Sequence, residues 1–509
     1  MKKILNVAQM RQLDAQTIKE EGITSLDLME RAARAVVRAI VVRWAQSTPV
    51  IVLAGPGNNG GDALAVARML QGQGFTVAAY LFNTTGRLSP DCQANRDRLR
   101  EIPAGNIDFH EVTDRFETPQ LDASTLVVDG LFGTGLRDAL TGGFASLVRF
   151  VNDSAAKVIS IDVPSGTPTE MAADQDHAAI VRADLTVTFQ HRKLSSLLDD
   201  AAAFWGDVEV ADIGLTTTGI DDFPSHNLLL EADDVANILS AHPRPAFGHK
   251  GTFGHALLVA GQRGMCGAAV LQSRACLRSG VGKVTIHAPQ ANTLILQTAV
   301  PEAVLSLDAS DAAFSSPVSM EAYDALCIGS GIGTAKITTS AFAEQIASCD
   351  KPLVVDADGI NILASRPGLI AKVPRGAVLT PHLGEFTRLA YRHLSCGQAL
   401  EVARNMAEER GIYIVLKGHH TAIVCPDGTA YFNTTGNSGL ATAGSGDVLA
   451  GIITALLAQG YSPREASIAG VYLHGLAGDI AAERLTEYGV TASDVVASLP
   501  SAFRHFFEH

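Results

Sequence analysis

The sequence predicts two doubly wound α/β domains in series. Three observations carry that expectation: strand-like apolar runs alternate with helical periods twice over, a polar strand-poor stretch separates the two series, and each series holds a glycine-rich loop that follows a strand and opens a helix. The 509 residues exceed the ~150 of a typical domain and leave room for a large core. Apolar residues at 47% and charged residues at 18% describe an ordinary globular protein and exclude wholesale disorder.

In chain order, Thr24 and Asp27 form a capping-box pattern ahead of the helix "SLDLMERAARAVVRAIVVRW". The strands of the first series are "VIVLAG" (50–55), "VAAYLF" (77–82), "TLVVDGLFG" (125–133), "VISIDVPSG" (158–166), "LTVTF" (185–189) and "VEVADIGL" (208–215). "TTTGIDDFPSH" (216–226) is polar and turn-rich, as a linker is. The second series runs "HALLVAG" (255–261), "KVTIHA" (283–288), "ALCIGSG" (325–331), "PLVVDADG" (352–359), "AVLTPH" (377–382) and "YIVLKG" (413–418). A hairpin follows, its strands "TAIVC" and "TAYFN" joined by the turn Pro426-Asp427-Gly428. The expected domains are 1–218 and 219–509.

A formal net charge of −14 without a run of Lys or Arg argues against nucleic acid or an anionic membrane as a partner, since both require a positive patch. The partners expected are small molecules. "MKKILNVAQMRQLD" is too broken to be the apolar core of a signal peptide, and no apolar run approaches the ~20 residues of a membrane helix. Seven scattered cysteines without a C-x-x-C pair indicate neither a disulfide framework nor a zinc site. A reduced, cytoplasmic protein is expected.

In "GLATAGSGDVLAGIITALLAQG" the apolar residues 448, 449, 452, 453, 456 and 457 recur at helical spacing, so a helix begins near Gly446 and Asp447. Free N–H groups and the positive end of the helix dipole lie at that start, and upstream glycines remove the Cβ atoms that would hold a phosphate away from them. Asp447 in the first turn is placed to accept the proton of an attacking hydroxyl while the N–H groups stabilise the transferring phosphoryl. A simple N-cap aspartate is the competing reading.

The ordered set "HKGTFGHALLVAG", "GMCGAAVL", "IGSGIG", "VVDADGINIL", "LTPHLGEFTRL", "VLKGHHTAIV" and "GNSGLATAGSGDVLAG" resembles the ribokinase-like fold and, within it, NAD(P)H-hydrate dehydratase, over nearly all of 245–480. The resemblance implies that ADP, with Mg2+, drives water out of the S form of hydrated NADH or NADPH, giving AMP and phosphate. It implies that Asp447 is the base and that Lys417, Gly418, His419, His420, Thr421 and Gly446 hold the nucleotide. Ala268, Gly331 and His382, with Asp447, would line the hydrate pocket. Ser330 and Leu383 stand where that family usually has proline. The competing readings are an interior histidine for His382 and a strand-closing lysine with its ammonium in solvent for Lys417.

"AGPGNNGGDALAVARML" (54–70) contains Gly55, Gly57 and Gly60 in the G-x-G-x-x-G spacing. An ordinary dinucleotide fingerprint explains it poorly: Pro56 removes an N–H donor, and "YLFN" ends the next strand without the acid that grips a ribose. Asn58, Asn59 and Asp62 open the helix, Asp129 ends one downstream strand, and Asp162 with Ser165 ends another. In a parallel sheet these carboxyl ends meet on one edge, and their oxygen ligands suit a hard cation rather than zinc. From "MRQLDAQTIKEEGI" to about 214 the chain resembles NAD(P)H-hydrate epimerase, a Rossmann-like domain. That resemblance implies K+ at Asn59, Asp129 and Ser165. It implies hydrate contacts at Asn58, Asn59, Gly60, Gly61 and Asp62, at Gly133, Thr134, Gly135, Leu136, Arg137, Asp138 and Ala139, and at Asp162. Ala63 replaces a frequent glycine.

Epimerisation needs a proton donor or acceptor. Asp162 is the first candidate and Lys193 a second, against the plainer expectation that Lys193 is a solvent-exposed lysine. The two resemblances together imply a bifunctional repair enzyme, expected to be a homo-oligomer, in which the epimerase converts between the S and R hydrates for a stereospecific dehydratase. The alternative is a vitamin-precursor kinase fused to a non-catalytic nucleotide-binding module.

Overall fold

The computed structural model describes residues 1–103, 105–136, 138–168 and 179–507. Arg137, one of the expected hydrate contacts, lies outside them. The chain divides into two compact units, Ile4–Ser225 and Met1–Lys3 with His226–His509. The division falls inside the polar stretch 216–226, whose only regular structure before the next strand is one 3-10 turn at Ile220–Asp222.

The strands, in chain order, begin with β1 (Lys2–Lys3), which belongs to the second unit's sheet. In the first unit β2 (Val50–Ala54), β3 (Val77–Phe82), β4 (Asp108–Val112), β5 (Leu126–Gly130), β6 (Lys157–Ile161), β7 (Leu185–Phe189) and β8 (Asp207–Ala211) form an all-parallel sheet in the order β4-β3-β2-β5-β6-β7-β8. β5 and β7 are buried throughout, as strands covered on both faces must be. The expected strand 208–215 ends at Ala211. The winding direction reverses between β2 and β5, and the crevice above that switch point is where ligands bind in such sheets. The Thr24–Asp27 capping box is formed, and it opens the helix Ser25–Arg43.

In the second unit β9 (Asn227–Leu229), β10 (His255–Val259), β11 (Lys283–Ala288), β12 (Val304–Leu307), β13 (Ala325–Ile328), β14 (Leu353–Val355), β15 (Val378–Leu379), β16 (Tyr413–Leu416), β17 (Ala422–Val424) and β18 (Ala430–Phe432) join β1 in an eleven-stranded sheet. Its order is β1-β9-β18-β17-β16-β15-β14-β13-β10-β11-β12. The strands from β12 to β16 are parallel, and β17 and β18 are the expected hairpin. Here the switch point lies between β10 and β13.

The helix Ser445–Ala458 is buried from Val448 to Ala458 without a solvent face, which marks a central element. Gly451 lets it press against the helix Cys266–Arg278: a Cβ there would sit 2.3 Å from the Gln272 carbonyl oxygen. That close crossing fixes the start of the first helix beside the loops that leave β10 and β13.

Candidate active sites

In the second unit the helix begins at Ser445, with Gly444 as its N-cap at φ +90° and no side-chain cap. Its first amides therefore have no intrachain acceptor of the usual kind. Asp447 lies in the first turn, half-buried. Burial, then the nearby carboxylate of Asp356, push its pKa up to about 6, while a hydrogen bond with Ser330 and the charge of Lys417 act in the opposite direction.

Lys417 does not place its ammonium in solvent. Its Nζ lies 3.1 Å from Asp356 Oδ1 and 3.8 Å from Glu385 Oε2. Burial alone would lower its pKa, but Asp356 and Glu385 outweigh burial and hold it above the ordinary value. A Cβ at Gly446 would come within 3.3 Å of that Nζ, so this glycine is the gap through which the loop faces the cation.

His382 is not an interior histidine either. It is the N-cap of the helix Leu383–Leu389, its Nδ1 accepting from the Gly384 and Glu385 amides, and Leu383 takes the first helical position, where proline is also tolerated. A single parallel bridge sets His382 beside Lys417.

His382, Lys417 and Gly446 border one cavity of about 690 Å³, lined also by Gly418, His419, Thr421, Gly436, Asn437, Ser445 and His474; Asp447 follows Gly446 in the chain but is not itself among the lining residues. Five of the six expected nucleotide contacts line it. The exception is His420, which has a ring nitrogen 2.9 Å from the carbonyl oxygen of Asn433, itself a lining residue. Ala268 and Gly331 do not line this cavity. They meet each other at the switch point, where a Cβ on Gly331 would lie 3.1 Å from that of Ala268 and the Gln262 amide bonds to the Gly331 carbonyl.

Several groups at this site carry no role in the sequence reading. Asp356, 1% exposed, accepts from Thr380 Oγ1 and Lys417. Asp358 receives the Gly333 amide and raises the Asp447 pKa further. Ser330, fully buried, receives the Gln272 amide and contacts Asp356. His474 pairs with Ser445 Oγ, and burial lowers its pKa to about 4. Asp356 directly follows β14 at its carboxyl edge, and Asp358 opens the next helix, Asp358–Ser365.

In the first unit the three expected cation positions converge. Asp129, 1% exposed, accepts from Ser165 Oγ at 2.6 Å, the Ser165 amide at 2.9 Å and Ser160 Oγ at 2.8 Å. The Phe132 amide donates to Ser165 Oγ, and a Cβ on Gly133 would touch the Asn59 side chain at 3.2 Å. The Asn59 Nδ2 is buried without a hydrogen-bond partner among the described residues. Burial raises the Asp129 pKa against the pull of these donors. No cationic side chain pairs with Asp129 among the described residues, and no group of three or more His, Cys, Asp or Glu is placed to hold a metal there.

Asp162 adopts φ +62°, rare for a residue with a side chain. Its Oδ1 accepts from the Phe189 amide and lies 2.7 Å from Lys193 Nζ. Lys193 corrects the plainer expectation: it is 2% exposed, and its ammonium also donates to the Phe189 and His191 carbonyls. Burial raises the Asp62 pKa well above its ordinary value. Asp14, on the helix Val7–Glu21, is pushed up to about 6 by burial and then by Asp162. It was not singled out in the sequence.

Two family models match this chain. One, described as NAD(P)H-hydrate dehydratase, matches residues 256–501, and the other, the YjeF-related protein N-terminus, matches 25–195. Among curated relatives, the bifunctional NAD(P)H-hydrate repair enzyme Nnr of Thermofilum pendens is 35% identical, over 99% of this chain and 96% of its own. That of Moorella thermoacetica is 34% identical over 99% and 97%, and that of Escherichia coli 32% over 94% and 89%. Among solved structures, an ADP/ATP-dependent NAD(P)H-hydrate dehydratase from Bacillus subtilis, co-crystallised with ATP/Mg2+, is 31% identical with a TM-score of 0.49. It covers 55% of this chain and 98% of its own.

Proposed function

This chain belongs to the family of bifunctional NAD(P)H-hydrate repair enzymes, and from that membership we infer how its two sites divide the work. The enzyme epimerises and dehydrates hydrated NAD(P)H. We assign epimerisation of the S and R forms to 1–218 and dehydration of the S form to 219–509. Each unit has its own switch point with a polar constellation over it, which supports two active sites.

In the dehydratase site the carrying observation is Asp447 in the first turn of an uncapped helix, beside the cavity that Lys417 and Gly446 border. Asp447 takes the proton of the ring hydroxyl as that oxygen attacks the terminal phosphoryl of ADP. The amides from Ser445 onward and the Lys417 ammonium bear the charge of the transferred group. Transfer leaves AMP; phosphate then departs with the ring oxygen as the C–O bond breaks, and the neighbouring ring carbon gives up its proton to solvent, which restores the double bond of the reduced nicotinamide. Ala268, Gly331 and His382 are assigned to the hydrate. Mg2+ suits this site because it takes one or two carboxylates plus phosphates: Asp358 would hold it, having no ion-pair partner among the described residues, and it would neutralise phosphate charge.

In the epimerase site Asp162 carries the proton, held against Lys193. K+ suits the oxygens of Asp129, Ser165 and an Asn59 amide turned to present its carbonyl, because the buried carboxylate has no cation beside it. Bound there, K+ would supply that countercharge. No helix among the described residues is long and apolar enough to cross a membrane. The free cysteines support a cytoplasmic setting, and the exposed Leu294, Ile295, Val304 and Leu307 support association of identical chains.

Incubation of the full chain with hydrated NADH tests this reading. With ADP, absorbance of NADH should return together with one free phosphate per turnover. Accumulation of a phosphorylated product without NADH would establish a kinase instead.

A further inference from the structure

One ring on the wall of the nucleotide cavity has no part in the mechanism so far. His474 stands on the helix Pro463–Gly489 and lines the cavity together with Lys417, Ser445 and Gly446. Its Nε2 lies 3.1 Å from Ser445 Oγ. Ser445, 6% exposed, is the first residue of the helix that carries Asp447. Gly444, not Ser445, is the cap of that helix, so the hydroxyl is not needed to close its end.

The helix that carries His474 is tied to the cavity wall on both sides of the ring. Thr435 Oγ1 donates to the Tyr472 carbonyl at 2.9 Å, and a Cβ on Gly475 would collide with Thr435. Asp479 accepts from the Gly436 amide and from Asn437 Nδ2, each at 2.8 Å. The imidazole therefore approaches Ser445 from a fixed base. Burial, aided by the charge of Lys417, lowers its pKa to about 4, so at pH 7 the ring is neutral and carries one N–H.

A neutral imidazole either accepts from a hydroxyl or donates to it. If it accepted, Ser445 would spend its one proton on the ring and turn lone pairs toward the oxygens of an anion. If it donates, the hydroxyl proton is left for the cavity, where the helix amides and the Lys417 ammonium already favour negative charge. We propose that His474 is a positioning residue: its Nε2–H donates to Ser445 Oγ and so directs the Ser445 proton to an oxygen of the terminal phosphoryl of ADP. The inference rests on the reading of this cavity as the nucleotide site. His474 acts through Ser445, and neither group gives up its proton as the phosphoryl passes from ADP to the ring hydroxyl.

The test follows NADH recovery from hydrated NADH and ADP by the full chain, with AMP affinity measured by calorimetry. Ser445→Ala should lower kcat by about 10²-fold, the scale for one donor lost from developing charge, and His474→Leu, which frees the hydroxyl to turn, by roughly tenfold. Both should bind AMP within about twofold of the unaltered chain, because AMP lacks the terminal phosphoryl. The double variant should be no slower than Ser445→Ala, since the ring then has nothing to direct. His474→Gln, whose side-chain amide can donate in place of the ring, should recover part of the loss. An unchanged kcat in His474→Leu, losses that multiply in the double variant, or AMP affinity falling as far as kcat would overturn this inference alone. If His474→Leu does not fold, His474→Asn takes its place in the same cycle with the same outcomes. Absence of NADH recovery by the unaltered chain with ADP would overturn the reading of the site, and this inference with it.

Discussion

Two glycine-rich loops open a helix on this chain, and a methyl group added to each meets different things. In 54–62 it would collide with backbone: on Gly55 with the Leu131 carbonyl at 1.8 Å, and on Gly60 with the Gly55 carbonyl at 1.7 Å. Those glycines let main chain pack on main chain, and only Gly57 faces open space. In 444–447 Gly444 meets the Leu271 side chain, but Gly446 faces the Lys417 ammonium. The same residue type lets main chain close on main chain in the first loop and brings main chain up to a cation in the second. On the proposed assignment, side chains carry the chemistry of the first site, whereas main chain shares it in the second.

The largest effect expected from this contrast belongs to Asp447→Asn. Dehydration should fall by 10²-fold or more, the usual scale for a general base, with ADP binding retained. Epimerisation by the same protein should be untouched. Near-normal NADH recovery would remove Asp447 from the mechanism and leave it as a first-turn carboxylate that only complements the helix dipole.

Next is the buried pair in the first unit. Lys193→Met leaves Asp162 without its cation, a change worth on the order of 3 kcal/mol for a buried pair. Denaturant unfolding followed in that unit should report the loss, and Lys193→Met with Asp162→Asn should regain part of it. Equal stability of the single and double variants would mean that the pair is not coupled. Asn59→Ala or Asp129→Asn should reach less far. Each should weaken the K+ dependence of epimerisation by roughly tenfold while sparing dehydration, which a titration of rate against KCl reads directly.

The strands of both sheets were legible wherever they are buried on both faces, since continuous apolar runs such as "LTVTF" and "ALCIG" leave no other reading. β4 escaped because it is an edge strand of sequence "DFHEV", polar and mostly open to solvent, and β1 and β9 are two and three residues long. The site residues that ride on quoted motifs, Asp447, Lys417 and Asp129, were visible. What escaped was pairing. No spacing rule tells that Lys193 turns inward to Asp162, or that Ser330, fully buried, reaches both Asp356 and Asp447. Asp356 and Asp358 follow a strand of only three residues in the run "VVDADG", where aspartates serve equally well as turn residues.

The smallest effect separates the two sites by pH. With its pKa near 6, Asp447 is a carboxylate for most of the time at pH 7, and the dehydration kcat should drop about twofold at pH 6 and roughly tenfold per unit below that. Stability should move in the other direction. The folded value lies above the ordinary 3.8, so between the two values the folded chain binds a proton that the unfolded chain does not. This contribution therefore stabilises the fold as pH falls from about 6 toward 3.8. Activity should thus be lost while the second unit's melting temperature holds or rises, and Asp447→Asn should abolish that rise. Parallel loss of both quantities in the unaltered enzyme would mean that acid unfolds the site rather than protonating its base.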